Sequence, residues 1–465
     1  MKRTIALVMA VLLMVGMLVG CGAGGNDKNE NGQTVISVGN WPVKEGLELD
    51  TMNARKARFE ENNPDVVVEA DEWKFDRKTF YAKAAGNRLP IVYKAGFTEM
   101  PEIISSELSA DLSSVLKKRG YDGMMNPAVL ATITDEKGAV KSFPMNAYVL
   151  GLAFNTDLLD QAGYLAEDGT PHQPATLDEM VEMAKVIKEK TGKAGLVLPS
   201  ADNGAGWIFT ALAWSFGVDF MEKDENGKWK ATFNTPEAVA ALQWYKDLKW
   251  KYDVLPANTL VTTEEWNRIM GSEGAAMTIN GGDWTGKVVK FGYDPKKLGM
   301  MAMPAGPKRH VVLLGGDVQC LRNDSTEDQI DAGIRWLETA NSFNLTEEYK
   351  KTVEETIATQ LEMNMHVGVH SLSVWSTESE SLQWYNKYLD ENTNGNPNHV
   401  RLYNEFVANP TCEIQPEEPV CCQQLYGILA NCIQEVWIKE NADCAEVIAK
   451  ASADFQSNYL DNLTY

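Results

Sequence analysis

Trp41, Phe97, Tyr148, Trp207, Trp284 and Trp375 share a pattern of placement. Each has Gly, Pro, Asn, Asp or Ser within two positions, and each falls just past an expected strand or at the start of an expected helix. A ring held on such a loop can lay its face against the apolar C–H face of a pyranose. Polar neighbours such as Asn146 and Asp283 can then hydrogen-bond the hydroxyls. Local packing explains any one of these rings equally well, but together they point to a sugar site. Trp284, after Gly281-Gly282-Asp283, can present a bare ring to a cleft. Trp244 and Trp336 lie instead on the apolar stripes of expected helices and read as core.

Signals for other chemistry are weak. The chain has no G-x-S-x-G elbow and no Walker loop. His366 and His370 are four apart, as helical metal ligands would be, but Gly368 between them makes a strand or loop as plausible. No Glu follows His366, as a zinc-peptidase motif requires. Glu225-Asn226-Gly227-Lys228 faintly resembles a calcium loop, yet Phe233 stands where the bidentate Glu should be; a hairpin turn is the expectation. No metal and no cofactor is expected. A glycosidase pair of carboxylates cannot be read from spacing alone.

One cysteine has a chemistry of its own. Leu18-Val19-Gly20-Cys21 ends a short apolar run, Ile5 to Val19, that follows Lys2 and Arg3. This is the layout of a secretory signal, and the run is shorter than the roughly 20 apolar residues of a spanning helix. It resembles a bacterial lipobox, in which the Cys21 thiol receives the lipid. Residues 1–20 are then the signal peptide, and the mature chain is anchored to the outer face of the cytoplasmic membrane. Residues 21–33 comprise the lipidated Cys and a flexible tether. Its Gly, Asn, Asp, Lys, Glu and Gln bury almost nothing, and as a free coil it would span on the order of 20 Å. Of the seven cysteines, the other six are Cys320, Cys412, Cys421, Cys422, Cys432 and Cys444. Outside the cell they suit either local disulfides or buried thiols.

These side chains need a scaffold. The 465 residues are too many for one simple core, and a formal charge of −22 argues against nucleic acid as a partner. Strands expected at Thr34–Val38, Val66–Glu69 and Ile91–Lys94 alternate with helices, which implies βαβ units and a parallel sheet. Further strands are expected at Val149–Phe154, Gly195–Leu198, Ala275–Ile279, Leu298–Met303 and Val311–Leu314, the last leading into Gly315-Gly316-Asp317. Thr176-Leu177-Asp178-Glu179 reads as a capping box, and Thr235-Pro236 opens another helix. From about Glu347 onward the chain reads as largely helical.

Several stretches resemble one family: "FEENNPDVVVE", "FPMNAYVLGLAFNTDLLDQAG" with "PATLDEMVEMAKVI", "EGAAMTINGGDW" and "GGDVQCLRNDSTEDQIDAGIRWLETA". They are similar to the extracellular solute-binding lipoproteins of carbohydrate ABC importers, the maltodextrin-binding-protein-like group. The resemblance covers roughly residues 34–345, with a matching final helix at 445–460. It implies an α/β fold of two lobes with three inter-lobe crossings. One lobe would be 34–147 plus 305–345 and the other 148–304 plus 346–465, with crossings near Asn146-Ala147-Tyr148 and Met303-Pro304. It also implies a monomer that closes around a carbohydrate and docks on permease subunits, with Trp284 and Trp207 at the family's aromatic positions. The family's crossing carboxylate has no equivalent here. The rival readings are a surface glycoside hydrolase and a binding protein for a non-sugar solute.

Cys21→Ser cells test the anchor. The protein should leave the membrane fraction or remain unprocessed, and an undiminished membrane signal contradicts the lipobox.

Overall fold

The computed structural model describes residues 27–463. The expected signal peptide, Cys21 and residues 22–26 of the tether lie outside the described residues. Residues 27–33 differ from the free coil expected. Asn29 Oδ1 accepts the amides of Asn31 and Gln33, both at 3.0 Å, and Lys28 bridges to Thr34. Gln33 Nε2 donates to the Pro64 carbonyl at 2.8 Å. A polar stretch with nothing to bury is thus fixed by an Asn side chain closing its own turn.

The first lobe begins with β1 (Thr34–Val38), β2 (Val66–Ala70) and β3 (Val92–Gly96). β1 runs parallel to both others, and the helices Leu47–Asn62 and Arg77–Ala85 form the crossovers. Asp76 caps the second helix by accepting the Thr79 amide at 3.1 Å. The first helix starts at Leu47, after Gly46, with no side-chain cap.

A long strand, β4 (Phe143–Asn155), leads into the second lobe. There follow β5 (Ala194–Leu196), the hairpin β6 (Met221–Lys223) and β7 (Trp229–Ala231), then β8 (Ala275–Gly281) and β9 (Leu298–Ala302). The Asn226-Gly227 turn is that of the expected hairpin, with Asp224 accepting the amides of Asn226 and Lys228. The helix Leu177–Thr191 buries Met180, Val181, Ala184 and Ile187, as its spacing requires. The Glu179 carboxylate takes the Ala175 amide, so the cap there is not the reciprocal box.

The chain returns through β10 (Val311–Leu321) and later adds β11 (Glu413–Gln415). β4 pairs antiparallel with β10 along 143–149, then with β8 and β9 along 150–155. β10 pairs with β11 at its start, with β4 in its middle and with β3 at its end. One nine-stranded sheet therefore runs through both lobes, with β4 and β10 common to each.

Two expectations are corrected by this topology. The second crossing is β10, not Met303-Pro304; residues 303–309 stay with the second lobe, where Ala305 bonds Ala175 and Arg309 bonds Ser215. The strand expected at Val311–Leu314 runs on through Gly315-Gly316 to Leu321. A Cβ at Gly315 would strike the Tyr148 ring, and one at Gly316 would strike Phe97 and the Asn146 carbonyl. The glycines permit close approach within a continuous strand.

The region after residue 345 also divides differently. The helix Glu347–Glu362 docks on Leu47–Asn62 in the first lobe, with Arg58 Nη1 2.7 Å from Glu355 Oε2 and Thr51 Oγ1 2.9 Å from Thr359 Oγ1. The helix Glu380–Glu391 joins it through Tyr349 against Trp384. Only with Asn398–Ala408, whose Tyr403 hydroxyl donates to the Val149 carbonyl at 2.7 Å, does the chain settle on the second lobe. There Cys422–Ile438 packs on Asn203–Ser215 so closely that Gly206 leaves no room for a Cβ beside Tyr426. The six described cysteines are free thiols. Among the described residues no helix is long and apolar enough to cross a membrane.

Candidate functional site

A cleft of about 1130 Å³ opens between the lobes. The first lobe lines it with Asn40, with Lys74, Phe75 and Asp76 after β2, and with Lys94, Ala95, Gly96, Thr98 and Glu99 at the end of β3. The second lobe contributes Asp202 to Gly204, Thr263 and Gln423. The shared strands form the floor through Tyr148, Gly316 and Asp317. Strand ends and helix starts converge here because both lobes aim the same side of the sheet at the gap, the usual place for a ligand in an open α/β sheet.

Of the six rings singled out in the sequence, Tyr148 lines this cleft and the other five do not. Trp284 has no exposed surface, and its indole N–H donates to Asn267 Oδ1 at 2.6 Å. Trp41 is 3% exposed and stacks on Trp336, with ring centroids 6.0 Å apart. Trp375 is buried against Tyr121 and Phe143 and donates to Asn341 Oδ1 at 2.8 Å. Phe97 is buried beside Gly316. In each case the polar neighbour that suggested a ligand loop marks a chain reversal, and the ring turns inward from it. A buried indole still needs a partner for its N–H, and Asn267 and Asn341 supply one. Trp244 and Trp336 are buried, as expected.

Tyr148 is the expected ring that lines the cleft. It lies over Gly281 and Gly315, where added Cβ atoms would collide with it. Burial pushes its phenol well above its ordinary pKa, reinforced by Asp283, Glu417 and Asp317. Asn146 does not reach the cleft wall directly. It holds Asp317 there, donating from Nδ2 to Oδ2 at 3.0 Å and accepting the Asp317 amide at 3.2 Å. Asp283 is exposed and pairs with Lys287 at 2.9 Å. Asp202 spans two helix starts, accepting the amides of Gly204 (3.1 Å) and Thr263 (2.6 Å).

Glu417 is a residue that the sequence did not single out. Its Oε1 accepts Thr98 Oγ1 at 2.8 Å from the first lobe and Trp207 Nε1 at 3.0 Å from the second. Its Oε2 accepts the Tyr426 hydroxyl at 2.8 Å and, at 3.5 Å, the Cys422 thiol. Trp207 is thereby fixed as a hydrogen-bond donor at the lobe junction, half-buried, and does not line the cleft. Burial pushes the Glu417 carboxyl upward, opposed by the donors Thr98, Tyr426 and Trp207. The Pro-Glu-Glu-Pro run at 416–419 was the available signal: consecutive acids bracketed by prolines in an otherwise helical tail.

His366 and His370 do not act together. His366 is buried and pushed down to about 4 by burial and then by His399, while His370 Nε2 lies 2.9 Å from Asp390 Oδ1. Among the described residues no three of His, Cys, Asp and Glu gather as a metal site would require.

The family model for bacterial extracellular solute-binding protein matches residues 45–338. The melibiose/raffinose/stachyose-binding protein MelE of Bacillus subtilis is 26% identical over 202 residues, and the lactose-binding protein of Rhizobium radiobacter is 28% identical over 178. These matches cover 43% and 38% of this chain, and 42% and 38% of those proteins, so the chain spans less than half the length of either. Among solved structures, maltose-bound MalE3 of T. maritima superposes with a TM-score of 0.66 at 22% identity, over 91% of this chain and 99% of that one. That likeness is one of fold.

Next to Glu417, Glu418 provides a test by pH. It is 7% exposed, accepts Trp214 Nε1 at 2.9 Å, and is pushed up to about 7 by burial, with Asp219 adding to the rise. A carboxyl with a raised folded pKa is more protonated folded than unfolded. Its cost is absent below the unfolded value and grows as pH rises from about 4.5 to about 7, reaching on the order of 3 kcal/mol. Glu418→Gln should therefore be more stable than the parent at pH 8 and no more stable at pH 4.5, by urea unfolding. The same difference at both pH values contradicts the raised pKa.

Proposed function

The chain belongs to the family of bacterial extracellular solute-binding proteins, and on that premise we propose that it captures a sugar between its lobes for an ABC importer. The loaded protein docks on the permease subunits, and Cys21 carries the lipid that keeps it at the outer face of the cytoplasmic membrane. The observation that carries this reading is the cleft itself. It draws its walls from both lobes and its floor from the strands they share, so a solute held there touches every part that moves on closure.

Two further points support a sugar. MelE and the lactose-binding protein are both named for oligosaccharides. The cleft presents hydroxyl, amide, ammonium and carboxylate groups around one half-buried ring, Tyr148, a mixture suited to a polyhydroxylated solute. Trp41, Phe97, Trp284 and Trp375 serve as core beneath the walls. Binding is the whole task, with no covalent step. The cleft carboxylates each have a structural partner in support of this: Asp76 and Asp202 cap helices, Glu99 accepts the Gly96 amide, and Asp317 pairs with Lys94 through one oxygen.

Thermal unfolding with melibiose, raffinose, lactose or maltose tests the proposal. A sugar that binds the folded form alone adds about 2.7 kcal/mol at a hundredfold excess over its dissociation constant. At least one should raise the melting temperature in proportion to the logarithm of its concentration, and the sugar should be recovered intact. No shift with any of them, or recovery of cleaved sugar, contradicts the reading.

A further inference from the structure

We propose that Lys94, Asp317 and Asn146, with the Tyr148 hydroxyl beside them, form the centre that selects the solute, and that it takes a neutral polyol and rejects charged sugars. The inference rests on the reading of the cleft as a sugar site. It deepens that reading by naming the groups that discriminate.

The cluster keeps free bonding capacity, whereas several other polar groups of the cleft are committed to the fold. Asn40 Oδ1 accepts the Phe75 amide, Asp202 and Asp76 cap helices, and Thr98 donates to Glu417. Asp317 receives both of its side-chain partners on one oxygen: Lys94 Nζ at 2.9 Å and Asn146 Nδ2 at 3.0 Å both meet Oδ2. Among the described residues nothing donates to Oδ1, and the Tyr148 hydroxyl has no protein partner. The Lys94 and Asp317 side chains are each 36% exposed, and both residues line the cleft. The cluster is also rigid. Asp317 sits opposite Gly96 and Asn146 in the β10 register, two positions along from Lys94, which faces Gln319, and its own amide is bonded to Asn146 Oδ1.

Such a cluster offers an acceptor at Oδ1 and donors at Nζ and the phenol, fixed before any solute arrives. Two neighbouring hydroxyls satisfy it, one donating to Oδ1 and the other accepting from Nζ. Hydrogen bonds to ionised groups are among the stronger ones. The pair is itself neutral, so a neutral solute leaves its charges balanced. A solute carboxylate would compete with Asp317 for Lys94, and a solute ammonium would compete with Lys94 for Asp317. Either leaves one member of the pair facing a like charge in a partly desolvated cleft.

Calorimetry on the full-length protein tests this with lactose and its charged relative lactobionate, and with maltose or melibiose beside glucosamine and glucuronate. The variants are Asp317→Asn, which keeps size and the bond to Asn146, and Lys94→Met, which keeps the length of the stem. Circular dichroism checks folding. The parent should bind a neutral sugar at least tenfold more tightly than the charged compounds, and each variant should lose tenfold or more for the neutral sugar. A 2-deoxy or 3-deoxy form of the bound sugar should lose less against Asp317→Asn than against the parent. If the parent binds a neutral sugar and both variants match it, or if charged compounds bind equally well, the cluster is not the selector while the sugar reading stands. If the parent binds none of these sugars, both fall.

Discussion

Where the Tyr148 ring lies across Gly281 of β8 and Gly315 of β10, three strands from distant parts of the chain meet without a side chain between them. This contact constrains the rest. β4 and β10 belong to both lobes, so the place where they lie closest is also where one lobe meets the other. A bulkier residue at 281 or 315 would force the ring away from the floor of the cleft. Gly316 adds the same constraint on the other side, against Phe97 and the Asn146 carbonyl. The position of Asp317 follows directly, because it is the next residue and its amide is held by Asn146.

The lobes are joined a second way at the edge of the cleft. Glu417 takes donors from Thr98 in one lobe and from Trp207 and Tyr426 in the other. A buried carboxylate is costly unless its oxygens are satisfied, and this one has a donor for each. The segment carrying it is anchored to the shared strands by β11 on β10. The two features divide the work: glycine packing sets the floor of the cleft, and a satisfied carboxylate fixes its edge.

The alternation of strand and helix and the helical faces were legible in the sequence because they follow from local periodicity, whereas the two-lobe plan came from the resemblance of whole stretches to a family. The face of Leu177–Thr191 is buried as its spacing required, and that of Pro236–Trp250 is buried at Ala241, Trp244 and Leu248 but not at Ala240, which the spacing also placed inward. What was not legible depends on contacts between distant residues. Gly315-Gly316 looks locally like a turn, and only the Tyr148 ring explains why it is a strand. Trp284 and Trp375 look locally like loop aromatics, and only Asn267 and Asn341 explain why they are core. Of the residues singled out in the sequence, Tyr148 lines the cleft and Asn146 lies behind it, holding Asp317. Lys94 and Asp317 were missed because a lysine and an aspartate 223 positions apart carry no pattern until β3 and β10 pair.

If the shared strands are the hinge and the solute sits on them, capture must draw the lobes together. Small-angle scattering measures this directly on the intact protein, with and without a saturating sugar taken from the thermal screen. The expected result is a smaller radius of gyration with the sugar bound and no change with a sugar that gives no thermal shift. An unchanged radius at saturation, with binding confirmed in the same sample, would contradict closure about β4 and β10.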